Sequence, residues 1–190
     1  MTNSEPSVAA RRVPADGHMW VMVFGDLIIF GGYFVIFMIY RAMTPEAFLR
    51  SQQHLHLNAG VVNTVVLLTS SWLIARSVAA ARAGDHPRTI RLTCAAGACG
   101  AVFVLIKTYE WADGIAGGNT NSDLFFSFYY VLTGVHLLHV ALGLAIMGIV
   151  VREWRAPHRR RMVVIESAAI FWHMVDLLWI VIFALFYVMR

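Results

Sequence analysis

Residues Val163 to Met189 read VVIESAAIFWHMVDLLWIVIFALFYVM. The run is almost wholly apolar and long enough to cross a bilayer, since about 20 helical residues at 1.5 Å each span ~30 Å of hydrocarbon. Yet it carries Glu166, His173 and Asp176. At 100° per residue Glu166 and His173 lie roughly 20° apart around a helix, and His173 and Asp176 roughly 60°. The three share one stripe, with Trp172 and Trp179 beside it. A carboxylate near the helix centre facing lipid costs roughly 2.5 kcal/mol or more. The stripe is therefore expected to face other helices of this chain, with the histidines of the preceding span as its partners across a short connector.

The same apolar character runs through the whole chain of 190 residues, 59% of them hydrophobic and 14% charged, with a mean hydropathy of +0.66. That excludes an ordinary soluble domain and leaves room for about five spans with short loops. Spans are expected at about 18–40, 58–80, 89–111, 124–151 and 163–189, an all-α polytopic membrane bundle over residues 18–190. Residues 1–17 are polar and read as a flexible cytoplasmic tail, without the charged, apolar and cleavage regions of a signal peptide. Between the spans, Pro45 fits the first turn of a short surface helix. ARAGDHPR (residues 81–88) and the Gly- and Asn-rich DGIAGGNTNSD (residues 113–123) read as turns. Aromatics at the fourth span's entrance (Phe125, Phe126, Phe128, Tyr129, Tyr130) suit an interfacial belt.

The net charge of +4 sits in the connectors, so topology explains it and no nucleic-acid partner is expected. Arg11, Arg12, Arg82, Arg88, Arg91, Arg152, Arg155, Arg159, Arg160 and Arg161 fall on one side of a five-span chain. Arg41, Arg50 and Arg190 fall on the other. The positive-inside rule then puts the N-terminus in the cytoplasm and the C-terminus outside. Cys94 and Cys99 lie on different faces of one helix and read as small packing residues.

Polar groups within spans are the candidate functional residues. Asp26, Glu110, Glu166 and Asp176 are carboxylates suited to proton uptake or structural pairing. Lys107 shares a face with Glu110 near the end of its span, which suggests a pair snorkelling to the interface. Asn63, His136, His139, His173 and Trp172 are candidates for helix–helix polar contacts or lipid contacts. His136, His139 and His173 have a second reading as metal or haem ligands, but no thiolate, Glu-x-x-His or HExxH accompanies them. His54 and His56 alternate, which separates them on a helix or strand. No catalytic or metal residue is assigned.

Five ordered segments carry a family resemblance. WVMVFGDLIIFGGYF (Trp20–Phe34), VNTVVLLTSS (Val62–Ser71), KTYEW (Lys107–Trp111), TGVHLLHVALG (Thr133–Gly143) and ESAAIFWHMVDLLWIVIF (Glu166–Phe183) resemble, in this order, the last five helices of cytochrome c oxidase subunit III. The short accessory subunits of some nitric oxide reductases share the pattern. The chain departs from it in three ways. It has five expected spans where the long form has seven, the missing pair bordering a lipid-filled cleft. Asp26 stands where the family usually has Glu. Leu137 replaces the glycine between the two histidines.

The resemblance implies a non-redox membrane subunit that holds no haem or copper and packs against catalytic subunit I with other oxidase subunits. Haem and copper are then expected in those partners, phospholipids are bound, and the site is a bacterial cell membrane. The implied role is to stabilise the catalytic subunit and sustain its proton uptake. An accessory subunit of a nitric oxide reductase and a stand-alone membrane haem protein are the alternatives.

Overall fold

The computed structural model describes residues 17–53, 55–118 and 123–189, and its regular structure there is entirely helical. The expected tail with Arg11 and Arg12, His54, residues 119–122 of the Gly- and Asn-rich connector, and Arg190 lie outside the described residues. The helices are α1 (Gly17–Met43), the short α2 (Pro45–Gln52), α3 (Leu57–Arg82), α4 (His86–Ala116), α5 (Leu124–Arg155) and α6 (Met162–Phe183). A π-helical turn (Ala184–Val188) continues α6. Five of them, α1, α3, α4, α5 and α6 with its extension, are long and apolar enough to cross a membrane.

Local chemistry sets most boundaries. Gly84, with φ +75, ends the α3 segment in a conformation that glycine adopts without strain. Asp85 then caps α4, its Oδ1 accepting the Arg88 amide N–H at 3.1 Å, and Pro87 sits in the first turn. Asp123 caps α5 by accepting from Phe125 N at 3.0 Å. The third span runs past Trp111 to Ala116, beyond its expected end. Asp113-Gly114 looks like a turn in sequence. In the fold, Gly114 packs so close to the Tyr130 hydroxyl that a Cβ there would lie 3.2 Å from it.

Helices α3, α4, α5 and α6 form a ring, each packed on the next and α6 returning to α3, while α1 lies outside against α5 and α6. The last span is the hub: 61% of its apolar window is buried within the chain, against 17–28% for the others. Trp172 marks the seam. Its indole is fully buried between Gly100 of α4 and Gly143 of α5, where added Cβ atoms would approach the ring to 2.8 and 2.6 Å. Its N–H donates to Ser70 Oγ of α3 at 3.0 Å, and Ser70 donates onward to the Ala96 carbonyl at 2.8 Å. One side chain thus ties four helices, and its polar atom is satisfied inside the bundle.

The far end of the hub is pinned by side chains. Gln52 Nε2 donates to the carbonyls of Phe186 and Met189 at 2.9 and 2.8 Å, and Arg41 donates to Met189 O at 2.6 Å. These bonds satisfy carbonyls that the end of a helix leaves without partners. The aromatics at the α5 entrance correct the belt expectation. Phe125, Phe126 and Tyr129 are buried in an aromatic core with Phe37, Phe48 and Phe186, while Phe128 and Tyr130 are half-buried. Cys94 is exposed and Cys99 half-buried, so Cys94 packs little within this chain.

Because the Gly143 contact leaves no room, Gly143→Ala is expected to cost about 1–3 kcal/mol of stability through overpacking against Trp172. Gly148→Ala, whose Cβ meets nothing within 4 Å, is the control on the same helix. Denaturant titration in micelles, read by near-ultraviolet circular dichroism, should lower the midpoint of the first variant only.

Candidate functional site

The polar groups of the spans separate into three levels. At the end of α4, Lys107 and Glu110 are i, i+3 neighbours with side chains only 1% and 5% exposed. This overturns the snorkelling expectation. The three N–H bonds of the ammonium go to Glu110 Oε2 at 3.2 Å, Tyr129 OH at 2.8 Å and Tyr187 OH at 2.7 Å. Both phenols then donate to Glu110 Oε1, Tyr129 at 3.0 Å and Tyr187 more closely. The rings of Tyr129, Trp179 and Tyr187 surround the cation at 4.6, 5.1 and 5.2 Å. Burying such a pair is tolerable only when every donor and acceptor is used, and here α5 and the π-helical turn supply what α4 lacks. A cavity of about 470 Å³ reaches Glu110 and Tyr129, with the His56–Asp113 pair, 3.2 Å apart, on its wall.

Asp26 and His139 make the second level. Asp26 is half-buried, and its Oδ2 lies 3.5 Å from His139 Nε2, an ion-pair separation between α1 and α5. His139 Nδ1 is 2.8 Å from the Val135 carbonyl, which can only accept. Nδ1 must therefore carry a proton. Nε2 is thereby left facing the Asp26 carboxyl within ion-pair range. Phe30, edge-on at 5.5 Å, and Phe171, stacked at 6.3 Å, fix the ring.

The stripe on α6 forms the third level, and its partners differ from those expected. Glu166 accepts from Arg82 of α3 at 2.9 and 3.2 Å, and His173 Nδ1 bonds Ser71 of α3 at 2.7 Å. Neither meets the histidines of α5, because both project to the α3 side of the hub. His173 is also exposed, which corrects the expectation that the whole stripe turns inward. Asp176 does turn inward and is buried. Two adjoining hollows, of about 240 and 270 Å³, share His173 and Ile170. The first contains Arg82 and Glu166. The second is apolar, between α1 and α6, with Trp20, Val23, Leu27, Met174 and Leu177.

His136 is fully buried between Phe103 at 5.6 Å and Trp179 at 5.4 Å. Its ring nitrogens, the Asn63 amide and the Asp176 oxygens have no hydrogen-bond partner among the described residues. Trp172 serves the packing seam and not a lipid surface. Among the described residues no three His, Cys, Asp or Glu side chains converge as metal ligands. The sequence reading missed the roles of Tyr129, Tyr187 and Arg82. Tyr129 was masked by its aromatic run, and the others have no local signal, since their partners are remote in the chain.

The family model for "Cytochrome c oxidase subunit III" matches residues 16–190. Relatives include the cytochrome c oxidase subunit 3 of Synechocystis sp., 33% identical over 91% of this chain and 78% of that protein. That of Thermostichus vulcanus is 31% identical over 89% of this chain and 84% of that protein. A fused haem-copper oxidase subunit I+III of Aeropyrum pernix is 28% identical over 89% of this chain and 22% of that protein.

The closed network around Lys107 sets a test of its energetics. Lys107→Met should cost about 3–5 kcal/mol, because Glu110 keeps its burial and loses its counter-charge. Lys107→Met with Glu110→Gln should cost clearly less than the two single changes summed. Denaturant titrations of the three variants in micelles measure the coupling, and additive losses would contradict the network.

Proposed function

The chain belongs to the cytochrome c oxidase subunit III family, and on that premise we propose that it acts as the non-redox subunit III of a haem-copper cytochrome c oxidase. In this reading it packs beside catalytic subunit I, stabilises it and sustains its proton uptake, while haem and copper reside in the partner subunits. The observation that carries the pairing is the relative in which subunits I and III are one polypeptide. The relatives named as oxidase subunits favour an oxidase over a nitric oxide reductase as the host complex. The chain is a multi-pass membrane protein; the cytoplasmic N-terminus and the bacterial cell membrane belong to the proposal. The arginine-rich helix ends support that orientation. They meet at one end of the bundle, where Arg82 pairs with Glu166 and His86 packs on Trp154.

Two features support the finer roles. The Asp26 carboxyl and His139 Nε2, 3.5 Å apart between α1 and α5, are two proton-exchanging groups side by side, which suits a pair that buffers proton delivery near a partner. The adjoining hollows at His173 have a charged end and an apolar end, the shape of a phospholipid. Glu110 is assigned a structural role, since the ammonium and both phenols that bond it belong to the bundle.

Purification through a tag on this chain tests the assignment. It should bring down a haem-containing subunit I with an oxidised-minus-reduced haem spectrum, together with a copper-binding subunit; a nitric oxide reductase would bring none of the latter. The chain purified alone should show no haem absorbance. Asp26→Asn should assemble but shorten the catalytic lifetime of the complex. His139→Gln should do the same, and the double variant should add little, since the two side chains face each other. Unaltered turnover and lifetime in Asp26→Asn would reduce the pair to packing.

A further inference from the structure

Away from the hollows at His173, another face of α3 carries a second charged recess. Arg76 lies about 9 Å along the axis from Arg82, the end of α3, at 1.5 Å per residue. It is exposed, its guanidinium lies 5.2 Å from the Trp72 ring, and no carboxylate among the described residues pairs with it. Across a recess of about 270 Å³ stands Arg88 of α4, whose side chain likewise has no carboxylate partner among the described residues. Ala79, Ala80 and Ala83 line the floor, so no bulky side chain fills the space between the two cations. Asp85 is the one acid on the wall, and its Oδ1 is already engaged by the Arg88 amide. Two guanidiniums and one carboxylate leave a net charge of +1.

One stripe of α3 continues from this recess into the membrane. Trp72, Leu68, Val65 and Val61 follow Arg76 at helical spacing and are 57%, 48%, 58% and 44% exposed. A cation below the helix end is costly in hydrocarbon unless it reaches the interface or meets an anion there. We propose that the Arg76–Arg88 recess binds the phosphate of a monoanionic glycerophospholipid, with an acyl chain along the Trp72–Val61 stripe. The net charge matches one phosphodiester. A zwitterionic headgroup would bring its own ammonium towards two arginines and is disfavoured. This site is independent of the hollows at His173 and of the assignment to an oxidase.

Native mass spectrometry of the full chain in detergent, titrated with phosphatidylglycerol or phosphatidylcholine, tests the proposal. The chain should retain phosphatidylglycerol in preference to phosphatidylcholine. Arg76→Gln with Arg88→Gln should weaken that retention about thirtyfold, from two basic side chains beside an anionic headgroup. Arg76→Lys with Arg88→Lys, which keeps the charge, should retain most of it, and unchanged near-ultraviolet circular dichroism checks the fold of each variant. Arg91→Gln, outside the recess, should leave retention unchanged. Equal retention by the double Gln variant, an equal loss in Arg91→Gln, or displacement of the lipid by millimolar inorganic phosphate would each overturn the site.

Discussion

A polar group inside hydrocarbon finds no water to bond, so it must be satisfied by another part of the protein. That constraint organises this bundle more than apolar attraction does, because lipid tails solvate a leucine as well as a neighbouring helix would. The four-helix ring is therefore tied at points of polar contact. Trp172 donates to Ser70, Ser77 bonds both Thr93 and the Thr89 carbonyl, and Lys107 gathers Glu110, Tyr129 and Tyr187. Glycines supply the matching close approach, at Gly100 and Gly143 around Trp172 and at Gly60 against Tyr187.

The three polar levels differ in how fully they are closed, and the difference separates scaffold from proposed function. Around Lys107 every donor has an acceptor within the bundle, so the cluster behaves as a rivet. Asp26 and His139 are half-buried and 3.5 Å apart, and Asp26 sits on α1, the helix that is least enclosed by the chain. The Arg82–Glu166 pair stands at the bundle end, its arginine well exposed, and worth little as an isolated ion pair. The proposed proton-handling role rests on the middle level, where α1, which lies outside the ring, supplies one of the two groups.

Much of the fold was legible in the residues. Apolar length gave the five spans, Pro45 marked the start of the short surface helix, and Gly84 with Pro87 marked the α3–α4 turn. The ordered motifs by themselves carried the family resemblance. The candidate site was legible only in part. The residues near α4's end and on α6 stood out as ionisable groups in apolar runs, but their expected surroundings were wrong in particular places. Lys107 and Glu110 are buried rather than snorkelling, Tyr129 is core rather than belt, and His173 bonds α3 rather than α5.

The physical reason lies in what helical periodicity encodes. It fixes which residues of one helix share a face, so the sequence by itself determined the spans and the stripe of Glu166, His173 and Asp176. It does not fix which neighbouring helix that face meets. Tyr187 reaches Lys107 from 80 residues away, His173 reaches Ser71 from 102, and Arg82 reaches Glu166 from 84. Those pairings depend on how the ring closes and how each helix is rotated within it. Only the tertiary structure decided that the α4 cation would be enclosed by two tyrosines and a tryptophan, because only the packed ring brings α5 and the end of the hub over it.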